Sequence, residues 1–159
     1  TAVMDTWYAG GTEIVFACGG GIYQSAAEAA KKVGGKIIGV DVDQKAIIDS
    51  VYGEGMTVTS AMKGLYPTTV DTLVDVVING KWSEYAGKID TLGLISGEDA
   101  SKNYVGIPTT TQFEDGKFTS ADYAALVKAM FEGSLKVSND ISAIPATTNV
   151  TVTDHGNIK

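Results

Sequence analysis

Apolar and polar positions along this chain fall into blocks of changing period, and the blocks read as helices and strands in turn. Val3, Met4, Trp7 and Tyr8 share helical spacing, and Gly10-Gly11 closes that helix. Ile14 to Cys18 is a short unbroken apolar run, as expected of a strand buried on both faces. Gly19-Gly20-Gly21 lets the backbone turn sharply, and Ser25 to Lys32 is built from good helix formers, ended by Gly34-Gly35. Lys36 to Asp41 predicts a second strand that finishes on an acid. Gln44 to Tyr52 predicts a short helix with Ile47, Ile48 and Val51 on one side, and Met56 to Thr59 a third strand.

Next comes a strongly periodic helix. Leu73, Val74, Val76, Val77 and Ile78 form its apolar face, Pro67 suits its first turn and Gly80 stops it. Ile89 to Ile95 reads as a strand, 97–103 as a polar loop, and Tyr104 to Pro108 as a short strand ahead of a threonine-rich polar stretch. Thr119-Ser120-Ala121-Asp122 is a helix start, with Tyr123, Leu126, Val127, Met130 and Phe131 at helical spacing and Gly133 at the end. Leu135 to Ser138 predicts a last strand. Residues 139–159 hold β-prone pieces such as Val150-Thr151-Val152 but no domain of their own. The alternation predicts an α/β fold with a mainly parallel sheet. In such sheets ligands bind beyond the carboxyl ends of the strands, where helix N-termini open.

A length of 159 residues fits about one domain, and 44% hydrophobic with 19% charged residues supports a packed core. The net charge of −7 argues against a nucleic-acid partner. The single cysteine, Cys18, excludes an intrachain disulfide and reads either as a small buried hydrophobe or as a reactive thiol. No apolar run reaches the ~18 residues of a membrane helix, and no signal peptide is visible. The chain opens at Thr1 inside a helix pattern, as expected of a piece of a longer protein.

Two constellations carry candidate chemistry. Asp41 lies 21 residues beyond Gly20. A dinucleotide fold places glycines at its first turn and an acid about 20 residues on, because a carboxylate accepts both hydrogen bonds of a ribose diol. Gly19 and Gly21 fit that pattern, but its third glycine would fall on Gln24. The other reading of the turn is a tight β-α connection without a ligand. Lys63, after Thr59-Ser60, is the second constellation. It is placed just past a strand end on the same sheet edge as Asp41, either donating to sugar hydroxyls and opposing an acid, or simply solvated. Of Asp41 and Asp43, one is expected to face the crevice and the other to cap or be solvated. Trp7 and Trp82 are expected to pack. His155 sits in a polar tail, no serine has a nucleophile-elbow context, and no His, Cys or acid spacing suggests a metal site. The chain therefore reads as a binding protein without catalysis or a cofactor. A Rossmann-like nucleotide-cofactor domain of an enzyme is the alternative.

Three motifs, Val15-Phe16-Ala17-Cys18-Gly19-Gly20-Gly21, Ile38-Gly39-Val40-Asp41-Val42-Asp43-Gln44 and Thr59-Ser60-Ala61-Met62-Lys63, occur in an order and spacing that resemble the basic membrane protein (BMP/PnrA-like) family. These are substrate-binding lipoproteins of ABC transporters. The resemblance runs over essentially the whole chain, to Gly156-Asn157-Ile158-Lys159. It implies a type I periplasmic-binding-protein fold, with flavodoxin-like three-layer α/β/α lobes and the ligand between two of them. This chain corresponds to the C-terminal part, mostly the second lobe, with hinge-crossing segments within 60–115. The implied ligand is purine-nucleoside-like and the implied partner an ABC transporter permease. The implied location is extracytoplasmic, with membrane contact only through a lipid anchor absent from this chain. By motif position Asp41 and Lys63 correspond to the ribose-binding acid and lysine, and Gly21 to a glycine whose backbone approaches the nucleoside. Phe16 is the candidate base-stacking aromatic. The turn departs from the family's Gly-Gly-Thr-Gly form, reading Gly20-Gly21-Ile22-Tyr23, so Tyr23 is a further candidate ligand contact.

Overall fold

The structure, a computed structural model, describes residues 2–156. It is α/β, with an open four-stranded sheet, mostly parallel, in the order β1-β2-β3-β4. Helix α1 (Ala2–Ala9) leads into β1 (Ile14–Phe16), a single turn at Gly20–Ile22 and α2 (Tyr23–Val33). Then follow β2 (Lys36–Asp41), α3 (Lys45–Tyr52) and β3 (Thr57–Lys63). Strands β1, β2 and β3 are parallel, and β4 (Val105–Gly106) adds to β3 antiparallel.

Right-handed crossovers that advance in one direction put their helices on one face of a sheet. Accordingly α2 packs on β2 and against α1 and α3. The contact is close because α2 presents Ala26, Ala27, Ala29 and Ala30, all buried, to a core that holds Ile37 and Ile48. Gly34, with φ 74°, supplies the left-handed residue that ends α2. Gly35 leaves room for the Tyr8 ring, whose Cε1 lies 2.4 Å from where a Cβ would stand. The Tyr8 hydroxyl then donates to the Lys36 carbonyl at 2.6 Å and fastens α1 to the start of β2.

A buried carboxylate ties α3 to β3. Asp49 accepts from Lys45 Nζ (2.6 Å), Gly55 N (3.0 Å) and Thr57 N (2.8 Å). Burial opposes its charge, but the lysine and the backbone donors outweigh it and hold the carboxyl below its ordinary range.

Beyond β3 the chain is less regular. Helix α4 (Leu65–Leu73) runs into a π-turn at Val74–Ile78, and α5 (Trp82–Tyr85) follows. Pro67 falls in the first turn of α4, as expected. Helix α6 (Ser120–Phe131) opens with a full capping box between Thr119 and Asp122.

Several sequence expectations are corrected. Ile89 to Ile95 is not a strand, and Ile89 is wholly exposed. Its β-prone residues find no sheet neighbour, and β propensity without packing does not make a strand. Leu135 to Ser138 is likewise irregular, and Tyr104 to Pro108 contributes only the two residues of β4. Strand β3 extends to Lys63, four residues past the expected end, because β2 pairs with it as far as Met62 and β4 as far as Lys63. The apolar residues at the end of α4 are largely uncovered, as is Trp82. The end of the tail, at Asn157, Ile158 and Lys159, lies outside the described residues. No helix among the described residues is long and apolar enough to cross a membrane.

Candidate functional site

The parallel register brings the carboxyl ends of β1, β2 and β3 together, and the residues singled out in the sequence stand there in a row. Asp41 is the last residue of β2 and Lys63 the last of β3, with Met62 paired directly to Asp41. Lys63 Nζ lies 2.7 Å from Asp41 Oδ1. This hydrogen bond and the nearby charge push the lysine pKa up. The side chains are 66% and 40% exposed, so the pair is open to a ligand. An ion pair this exposed contributes little to stability.

Asp41 also carries backbone strain. It is the one non-glycine described residue with positive φ, at 69°. Val42 N donates to Val40 O at 2.8 Å across it, closing a tight three-residue turn. Such conformations cost on the order of 1 kcal/mol and persist where the surroundings hold them.

The surroundings that hold Asp41 are motif residues with no role of their own in the sequence pattern. Gln44 Oε1 accepts from Val40 N (2.9 Å), and Gln44 N donates to the buried Ser60 Oγ (3.1 Å). Gly39 makes room for both, since a Cβ there would stand 2.7 Å from Ser60 Oγ and 2.8 Å from Gln44 Oε1. A glycine inside the apolar run of β2, and a serine in the middle of β3, were the available signals. Asp43 takes the capping role. Its carboxylate accepts from Lys45 N (3.0 Å) at the start of α3 and from the Thr110 hydroxyl (2.7 Å).

The turn after β1 borders this pair. Gly20 has φ 46°, a conformation that favours glycine. Gly21 is different, because its φ is ordinary and a Cβ would meet nothing within 4 Å. Nothing among the described residues requires a glycine there. Phe16 ends β1 about half exposed and stands outside the core cluster. Cys18 is exposed, which corrects the buried reading: β1 ends at Phe16, and Cys18 already belongs to the turn. Tyr23, the further candidate, is buried. It begins α2, directly after the turn at Gly20–Ile22, and belongs to the buried core cluster.

On the β4 side of Lys63 lies a cavity of about 620 Å³. Its walls come from the start of α4 and from the chain through β4. A second cavity, about 440 Å³, lies by Tyr8, Glu13 and Lys36 at the opposite end of the sheet. His155 is exposed and stacks near Trp7, with ring centroids 5.4 Å apart.

Comparison with known proteins gives no family model that matches this chain and no curated protein that matches it.

Proposed function

We propose that this chain is part of an extracytoplasmic substrate-binding protein that captures a purine-nucleoside-like ligand and delivers it to an ABC importer. The observation that carries the reading is the exposed Asp41–Lys63 pair at the ends of adjacent parallel strands. A carboxylate and an ammonium 2.7 Å apart offer an acceptor and a donor to the two vicinal hydroxyls of a ribose. The strain at Asp41 and the unneeded glycine at 21 fit a site shaped for a ligand rather than for the fold. On this reading the sheet is one lobe of a type I periplasmic-binding-protein fold, flavodoxin-like and three-layered. The face of β1 that bears Ile14 and Phe16 lies under its second helix layer, and hinge-crossing segments fall within 60–115. Closure around the ligand is then the functional event, with no reaction step.

Calorimetric titration with inosine, guanosine, adenosine, uridine and NAD tests the reading. Purine nucleosides are expected to bind, weakly for one lobe, since few contacts must offset the cost of association. Asp41→Ala is expected to remove that binding. Unchanged affinity in the variant takes Asp41 out of the site. Binding of NAD in place of nucleosides transfers the chain to the nucleotide-cofactor class.

A further inference from the structure

The π-turn and α5 are joined by Asn79, Gly80 and Lys81. Asn79-Gly80 is the one Asn-Gly step in the sequence. The side-chain amide carbon of an asparagine is electrophilic, and the backbone nitrogen of the next residue closes a cyclic imide on it when the two meet. A side chain on that next residue crowds the closure, and glycine has none. The other asparagines precede Tyr104, Asp140, Val150 and Ile158.

The local structure leaves the nucleophile free and restrains the electrophile. Asn79 and Gly80 are both exposed. Gly80 has φ 66°, and a Cβ there would meet nothing within 4 Å, so the peptide after Asn79 has room to rotate. Gly80 N donates no hydrogen bond among the described residues, whereas its neighbours are committed. Asn79 N donates to Val74 O at 2.9 Å, and Lys81 N to Asp75 O at 3.0 Å. Asn79 Nδ2 donates to Asp75 Oδ1 at 3.0 Å, which ties the amide to the preceding turn. At ψ −4° Gly80 N is turned away from the Asn79 side chain. Ring closure therefore needs the bond to Asp75 to open and the peptide to swing.

We propose that Asn79-Gly80 is a self-modifying site, where Gly80 N attacks Asn79 Cγ with loss of ammonia and the product loosens α5 from α4. The N–Cγ bond forms as Cγ–Nδ2 breaks, and the proton of Gly80 N leaves with the ammonia. Water then opens the ring at either carbonyl. Its hydroxyl goes to the carbon and its proton to the released nitrogen, leaving aspartate or isoaspartate. Both products take the Nδ2 donor from Asp75 and set a second carboxylate four residues after it, where like charges repel. Isoaspartate also lengthens the backbone between the π-turn and Lys81, out of step with the bond from Lys81 N to Asp75 O. Asp75 is thus the restraint on the reaction and the group that registers it.

Peptide mapping by mass spectrometry, on this chain held at mildly alkaline pH, tests the site. Asn79 is expected to convert well before Asn139 and Asn149, which are also exposed. Asp75→Ala is expected to speed the conversion about 2- to 10-fold, as loss of one exposed hydrogen bond gives. Tyr85→Phe, which leaves the Asn79–Asp75 bond in place, is expected to leave the rate unchanged. Asn79→Asp imitates the product. In a Trp7→Phe background its Trp82 fluorescence is expected to change at a higher pH on the acid side, because Asp75 loses the donor that does most to hold it at about 2. Conversion of Asn79 no faster than that of Asn139 and Asn149 overturns the site. A rate unmoved by Asp75→Ala overturns the restraint, and an acid limit unmoved in Asn79→Asp overturns the loosening.

Discussion

At the scale of single residues, Asp41 joins an unfavourable backbone conformation to an exposed ion pair. A residue kept for stability would show the reverse, because the strain opposes folding and the solvated pair returns little. Asp41→Gly separates the two. Glycine adopts φ 69° without steric penalty, and the freedom it adds to the unfolded chain offsets part of that gain, so the variant is expected to melt no lower than the wild type and at most about 2–4 °C higher, the shift that ~1 kcal/mol gives in a chain of this size. The same variant is expected to lose inosine binding. Thermal unfolding followed by circular dichroism reads the first effect and calorimetry the second. A melting point several degrees lower would instead make the Asp41–Lys63 pair a structural tie. Gly39 and Ser60 sit on the other side of this division, since Gln44 uses both to hold the strand end, and neither contacts solvent.

At the scale of elements, the buried Asp49 is the joint between α3 and β3. Asp49→Ala leaves Gly55 N and Thr57 N without their acceptor, and unmet buried donors of this kind cost about 1–3 kcal/mol. A fall in urea midpoint with an unchanged slope is the expected result. A midpoint within error of wild type would mean water replaces the carboxylate. The α4–α5 arm has a comparable but exposed joint. Asp75 accepts from Asn79 Nδ2 (3.0 Å), Lys81 Nζ (3.1 Å) and the Tyr85 hydroxyl (2.7 Å). These bonds, the one from Asn79 foremost, bring its carboxyl from an ordinary 3.8 to about 2. The bond to Asp75 raises Tyr85 from 10.0 to about 12. The depressed acid gives stability that is complete above its ordinary pKa and is lost as pH falls through about 2. The raised phenol gives stability that is complete below pH 10 and is lost as pH rises through about 12. Trp82 fluorescence, read in a Trp7→Phe background, is therefore expected to stay flat between those limits and change at each end. Tyr85→Phe removes the upper change. A profile flat to both extremes would show that the arm holds without this cluster.

The elements also mark how far the sequence could be read. The first 63 residues were legible because each apolar run has a neighbour close in sequence: β1, β2 and β3 are joined by single helices, and α2 lies directly on them. Local pattern and tertiary contact then agree. The juxtaposition of Asp41 and Lys63 was legible for the same reason, since parallel register puts consecutive strand ends side by side. Past residue 63 that agreement fails. Ile89 to Ile95 has a strand's composition and no strand to pair with, so composition alone misreads it. The cavity beside Lys63 was invisible in the sequence because one of its walls, Val105 and Ile107, arrives by an antiparallel return some forty residues after the other. The burial of Tyr23 was not legible either, since residue types do not say which face of α2 its first residue joins.

At the scale of the whole molecule, two opposing properties meet. The chain carries a net charge of −7, which keeps copies apart. It also exposes a run of apolar side chains along α4 and the π-turn, with Leu73, Val77 and Ile78 more than half exposed and Trp82 beyond them. The sequence pattern marked these residues as one buried face, and in the structure nothing among the described residues covers them. Exposed apolar surface of this extent favours association, while like charge opposes it over the range set by salt. Raising the salt from about 0.01 M to about 1 M shortens that range from ~30 Å to ~3 Å and leaves the apolar attraction in place. Sedimentation velocity is therefore expected to show a monomer at low salt and a larger species at high salt and high protein concentration. Ile78→Lys together with Val77→Lys is expected to restore the monomer at high salt, because it puts charge in the middle of the patch while bringing the net charge nearer zero. A mechanism based on net charge alone predicts the opposite, since a chain nearer neutrality would associate more readily. The double variant thus decides whether the uncovered α4 face or the overall charge governs how this chain meets its own copies.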